Sequence, residues 1–286
     1  MIYELNKSEY WRIKELLENT NYEEHVVLNA VIEGNNRGKI FVDDIEKPKT
    51  GLVWAIYCMY YFIGDSNNSE FNNYLNSFIK KKLGPENLSM GASTFICTLL
   101  NEEGWKDTIE EVFVDKHLDK GYRQEFNFNK DKYERIKSNI KELSNGYYVK
   151  KIDKKLLDND IDETVSIDIS DFWNSNEEFL EKGVGFCVMN EGKIISSCSS
   201  CYISKKRYEI VINTYDEEVR NKGFATVAAI EFVDYCISNG ITPYWGTDSI
   251  NYSSIALAEK LGFEKAEKNI CYEFLFDKFI SEDSIL

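Results

Sequence analysis

The hexapeptide Arg220-Asn221-Lys222-Gly223-Phe224-Ala225 is the stretch of this chain best suited to holding an anion. An apolar run, Tyr208 to Tyr215, leads into it, and a helix is expected from Phe224. Gly223 and Ala225 carry little or no side chain, so backbone amides at the helix start can approach an anion closely. The helix dipole favours negative charge at that end. The chemistry this predicts is a pyrophosphate cradle. It has neither the Walker pattern nor the dinucleotide-binding pattern of glycines. Arg220 and Lys222 flank the turn, and Lys205, Lys206 and Arg207 lie a strand away. On the hexapeptide alone, an ordinary helix start with one permissive glycine competes with this reading.

Other reactive side chains carry less. Glu209 sits on the apolar strand YEIVINTY. Half-buried, its pKa would rise, which suits a base working near neutrality. The plainer alternative is a carboxylate on the wet face of a half-exposed strand. Asn251 precedes a predicted helix, and capping alone explains it. Cys198 and Cys201 form a C-x-x-C on a predicted strand. A zinc site would want a second pair, and redox use would want a helix N-terminus. The pair reads as small buried apolar residues, and no metal site is expected.

Taken in order, these residues resemble the GNAT superfamily of acyl-CoA-dependent N-acetyltransferases. Its signature Q/R-x-x-G-x-G/A is met by Arg220, Gly223 and Ala225. Its later pattern, an Asn at a helix start followed by Leu and then Gly-Phe, is met by Asn251, Leu257, Gly262 and Phe263. The resemblance spans roughly 147–276. Within the superfamily it is most similar to a Firmicute-type subgroup that includes an acetyltransferase giving resistance to zwittermicin. The phrases shared with that subgroup read here as RNKGFA, Trp245, and Ser254 to Phe263.

The resemblance implies a mechanism. Acetyl-CoA would lie where two parallel strands, 208–215 and 242–247, splay apart. The backbone at Asn213, Thr214 and Tyr215 would pair with the pantetheine arm. Amides from Val219 through Arg220, Asn221, Lys222, Gly223, Phe224 and Ala225 would hold the pyrophosphate, with Asn251 and Ser254 as further contacts. An amine would attack the thioester directly, and a free N–H near Tyr215 would stabilise the oxyanion. Glu209 would be the base, eleven residues before Arg220 as in the histone-acetyltransferase branch. The family's usual general-acid Tyr is replaced by Ala258. Tyr252 and Ser254 are nearby substitutes, with a packing role as the alternative for Tyr252.

The elements that must position these residues follow from periodicity. Short strands are expected at 39–42, 147–152, 184–189, 193–203, 208–215, 242–246 and 271–276. The run Leu52 to Ile63 is a buried core element, too short to span a bilayer. Phe71, Tyr74, Leu75 and Phe78 mark a helix, which Lys80 to Lys82 and Gly84 are expected to end. Tyr133, Ile136, Ile140 and Leu143 mark another, and further helices are expected at 172–180, 224–238 and 251–261. Residues 115–132 are polar and aperiodic, so a domain boundary is expected near 130. The fold class is mixed α/β. Residues 131–286 form the acetyltransferase domain. Residues 1–130 form an accessory α/β unit, a degenerate copy of the same fold being one form it could take.

Composition sets limits. The chain has 286 residues, which suggests about two domains. Apolar residues make up 43%, enough for real cores. The net charge of −15 repels phosphate backbones, so no nucleic-acid partner is expected, including tRNA. Seven cysteines and a charged N-terminus fit a cytoplasmic protein with reduced thiols, without a membrane partner. The expected partner is a small-molecule amine. Oligomeric state stays open, a homodimer included. The competing functional class is a non-catalytic acyl-CoA sensor.

Overall fold

The computed structural model describes residues 1–18, 20, 24–56, 59–114, 116–138 and 143–276. Contacts divide the chain into two compact units, Met1–Arg123 with the stretch from Lys268, and Gln124–Glu267. The division after Arg123 lies within a helix length of the boundary expected near 130, while the last strand leaves the second unit and returns to the first. Among the described residues, no helix is long and apolar enough to cross a membrane.

In the first unit, β1 (Tyr3–Glu4), β2 (Lys39–Val42), β3 (Thr50–Ala55) and β4 (Met59–Gly64) pair antiparallel in sequence order. The apolar run from Leu52 is therefore the two sides of a hairpin, with Cys58 outside the described residues. β5 (Thr94–Thr98) joins β4 in parallel. The final strand, β12 (Phe263–Leu275), pairs antiparallel with β5 through Cys271–Leu275. Aromatic residues dominate the core: Trp54 stacks on Tyr60, Tyr60 on Phe95, and Phe95 on Phe274. Among its described residues this unit holds a 3-10 helix over Lys7–Leu16 and the α-helices α1 (Val26–Ile32), α2 (Ser69–Phe78), α3 (Gly84–Ser89) and α4 (Glu102–Val112). The expected stop at Lys80 to Gly84 does not occur. Residues 79–83 form a π-helical turn in which Gly84 N–H reaches Ile79 O, and α3 follows directly. Pro85 lacks the N–H and crowds the preceding turn, and a widened turn accommodates both effects.

In the second unit the strand order is β6 (Asp119–Phe128), β11 (Thr242–Asp248), β10 (Arg207–Thr214), β9 (Lys193–Ser204), β8 (Gly185–Asn190) and β7 (Tyr147–Lys151). β6 was not legible because only Gln124 to Phe126 are buried. One face of this sheet is covered by α9 (Phe224–Ser238), through Ala228, Ala229, Phe232, Val233 and Cys236. The other is covered by α6 (Lys154–Leu157), α7 (Thr164–Ser170) and α8 (Asn176–Lys182) around Trp173 and Phe179. α7 was not expected, and α8 starts later than Phe172 because Ser175 caps it. α5 (Lys130–Lys137) follows β6, and α10 (Tyr252–Lys260) lies between β11 and β12. Ile140 falls outside the described residues. Gly262 takes a φ of 82°, and a Cβ there would meet Tyr133 N at 2.6 Å, so α5 can approach only a glycine.

Candidate active site

β10 and β11 are parallel and paired only at Arg207↔Thr242, Tyr208↔Pro243 and Glu209↔Tyr244. Both strands then continue unpaired with each other, to Thr214 and Asp248. The gap between them is a cavity of about 870 Å³ lined by the open part of β10, the loop into α9, and one side of α10. On its other edge β10 keeps an antiparallel ladder with β9. Tyr215 N–H donates to Ile195 O in that ladder (3.2 Å). Antiparallel ladders alternate, so Asn213 and Val211 also turn their amides to β9. The Ile210 amide closes the last β10–β11 pair, Glu209↔Tyr244, and beyond it Ile212 and Thr214 turn theirs into the gap. A row of strand-edge donors and acceptors therefore faces the cavity.

The loop beyond β10 is wound tightly. Asp216 caps the turn at Glu217–Val219 by accepting from Glu218 N–H (2.8 Å). Asn221 (φ 63°) and Gly223 (φ 91°) are both left-handed, and Gly223 is the N-cap of α9. A Cβ on Gly223 would meet nothing within 4 Å, so its requirement is conformational and the space in front of it is open. A glycine cap brings no side-chain acceptor, and no acidic residue lies in the first turn. The leading N–H groups of a fifteen-residue helix thus face the cavity with the positive end of its dipole. Lys260 lines the same space, its Nζ 3.2 Å from Thr226 Oγ1 in that first turn. Arg220 also lines it and pairs with Glu217 (3.1 Å).

The far wall is built by α10. Asn251 caps it, accepting from Ser254 N–H (3.1 Å) and from the Ser253 hydroxyl (2.9 Å). Trp245, 4% exposed on β11, donates its indole N–H to Ser254 Oγ (3.0 Å). The Ser254 hydroxyl proton is thereby left to point elsewhere.

The arrangement offers strand-edge amides for an extended chain and a helix terminus with two cations for a doubly charged anion. A family profile described as GNAT acetyltransferase matches residues 14–272. The chain belongs to the GNAT acetyltransferase family. It is similar to "Uncharacterized N-acetyltransferase YdfB" of Bacillus subtilis, 26% identical over 272 residues, 95% of this chain and 98% of that one. It is also similar to the crystal structure of a GCN5-related N-acetyltransferase-like protein from Streptococcus suis. That protein is 25% identical with a TM-score of 0.69, over 93% of this chain and 98% of that one. A tandem GNAT protein from the clavulanic acid biosynthesis pathway shares the fold at 8% identity and a TM-score of 0.61, over 96% and 98% of the two chains. The protein is an N-acetyltransferase of the mixed α/β GNAT fold, and GNAT enzymes use acetyl-CoA as co-substrate. Of the two functional classes left open by the sequence, the enzyme is the one this family supports.

Against the GNAT expectations, the cavity gathers Asn213, Thr214, Arg220, Asn221, Gly223, Phe224, Ala225, Asn251 and Ser254. Lys222, Tyr215, Glu209 and Tyr252 are not in its lining. Tyr252 is 75% exposed at the start of α10. Glu209 is 3% exposed, on the last paired position before the strands part. The free N–H expected near Tyr215 is not that of Tyr215, which is spent on Ile195 O. The ladder assigns that property to Ile212 and the neighbouring Thr214, since even positions face away from β9 and Ile210 is still paired with β11. Lys260 and Thr226 escaped sequence reading, although the helical spacing of Asn251, Ser254, Leu257 and Lys260 carries the signal. Asp168 was missed too. It accepts from Asn213 Nδ2 (2.8 Å) and from the Tyr215 hydroxyl. Burial pushes its carboxyl above the ordinary value, and the two donors oppose this. The Tyr215 hydroxyl is pushed up as well, first by burial and then by the neighbouring carboxylate. The sequence signal for Asp168 was its place between the buried Val165 and Ile169 on one helix face.

Proposed function

We propose that this N-acetyltransferase moves an acetyl group from acetyl-CoA to the primary amine of a small molecule by direct attack on the thioester. The observation that carries the reading is the open edge of β10 beside the α9 N-terminus. The edge suits the two amides of a pantetheine arm, and the helix start with Arg220 and Lys260 suits its pyrophosphate. An N–H at Ile212 or Thr214 is the natural donor to the developing oxyanion. The amine nitrogen bonds to the acetyl carbon, the carbon–sulfur bond breaks, and the sulfur leaves as thiolate. The proton lost by the nitrogen passes to a base. Glu209, buried and outside the cavity lining, is the proposed base, acting through a bridging water. Ser254, with its hydroxyl proton uncommitted, is better placed than Tyr252 to hydrogen-bond the thiolate and relay to it a proton taken from water. The RNKGFA turn, Trp245 and the Ser254 to Phe263 phrase support a place beside the zwittermicin-resistance subgroup.

The test is calorimetry with acetyl-CoA, then thiol release against a panel of small amines, with Glu209→Gln alongside. The expected result is binding, turnover, and a fall in kcat of about a hundredfold in the variant without loss of binding. Absence of acetyl-CoA binding would overturn the reading.

A further inference from the structure

The face of β10 turned away from α9 holds a carboxylate with no use in cofactor binding. Asp168 on α7 accepts, through Oδ2, from Asn213 Nδ2 (2.8 Å) and from the Tyr215 hydroxyl. Tyr215 is fixed in turn by Ser197 Oγ (2.6 Å). Among the described residues, Oδ1 takes no hydrogen bond and neither oxygen has a cation as partner. Three lysines on the neighbouring elements pair with other carboxylates: Lys150 with Asp153, Lys154 with Asp158, and Lys182 with Glu178. Asp160 adds a second negative charge nearby, its own oxygens held by the first amides of α7. A carboxylate withdrawn from water is ordinarily paired with a cation. Here two neutral donors orient it, and no cation among the described residues pairs with it. Asn213 both lines the cavity and holds this carboxylate, so the two are one hydrogen bond apart.

We propose that Asp168 binds an ammonium group of the acceptor, and that this ammonium is not the nitrogen to be acetylated. The acceptor is then a small molecule bearing at least two amino groups. The inference rests on the transferase reading above. An amine beside a carboxylate is held in its protonated form, because the opposite charge favours the ion. A protonated nitrogen has no lone pair with which to attack a thioester. The nitrogen gripped by Asp168 therefore anchors the molecule, and a second, neutral nitrogen attacks. The excess negative charge of the chain draws such a polycation in.

The experiment compares a graded series of α,ω-diaminoalkanes with n-alkylamines of matching length, by thiol release from acetyl-CoA. Wild-type protein should prefer the best diamine in kcat/KM by about tenfold or more, a factor equal to about 1.4 kcal/mol. In Asp168→Asn the ratio should fall to near one. Calorimetry of the same diamines on protein loaded with CoA supplies a readout without turnover, and binding should weaken by a similar factor in the variant. Parity of diamine and monoamine in the wild type would overturn the proposal, whatever the variant does. A ratio unchanged in Asp168→Asn would overturn it equally. Diamine binding that depends on Asp168 without any acetyl transfer would uphold this site and sink the transferase reading. Transfer to both amine classes without preference would do the reverse.

Discussion

At the residue scale, Asp168 is a group whose ionisation costs the fold something. Its carboxyl is raised above its ordinary value of 3.8, chiefly by burial. A carboxyl raised in the folded state contributes stability when protonated, and that contribution is lost as pH rises through the shifted value. Asp168→Asn should therefore be more heat-stable than wild type at neutral pH. The advantage should shrink as pH falls toward the ordinary carboxylate range. Melting curves across acid to neutral pH check this, and a variant less stable at every pH would contradict it. Gly223 makes a different demand. Its φ of 91° lies where other residues are strained, yet its surroundings are empty. Gly223→Ala should cost about 1–3 kcal/mol, read from the urea midpoint, through backbone conformation alone. Gly185 is the contrast. A Cβ there would meet Ser199 Cβ at 2.8 Å, so its constraint is steric.

At the element scale, the site is made by two strands that stop pairing and a helix that starts beside them. The helix start can be tested with a charge. Ala225 lies in the first turn of α9, where an acidic side chain favours the dipole by about 0.3–1 kcal/mol. Ala225→Glu should leave stability unchanged or slightly raised. The same carboxylate occupies the place proposed for the pyrophosphate, so acetyl-CoA affinity should fall by about tenfold or more. Opposite signs from one substitution separate a binding effect from a folding effect. Thermal melts and calorimetry on the same sample read both, and retained affinity would count against the cradle.

At the scale of the whole molecule, the chain order and the units do not coincide. The last strand begins in the second unit and adds Ile270, Tyr272 and Phe274 to the core of the first. Phe274 is 6% exposed and stacks on Phe95. Phe274→Ala should cost about 3–5 kcal/mol in denaturant unfolding. A loss below about 1 kcal/mol would mean that the returning strand adds little to the first unit.

The sequence by itself determined the α9 boundaries, the glycine at its start, the cap at Asn251 and the hairpin of β8 and β9. Each of these is local: helical periodicity, a left-handed turn residue or a short polar cap decides it within a few residues. It also carried the family, through residues whose order along the chain is itself the signal. The tertiary structure decided the rest. β6 carries too little apolar patterning to stand out, and it exists because its neighbours supply the ladder. The return of β12 is set by long-range pairing with β5, which no local window contains. The direction of each amide along β10 depends on its register with β9, so only the fold could place the free N–H expected near Tyr215 at Ile212 and Thr214. Asp168 joins Asn213 and Tyr215 from 45 and 47 residues away in the chain, and only the packing of α7 on the sheet brings these polar groups within hydrogen-bond reach.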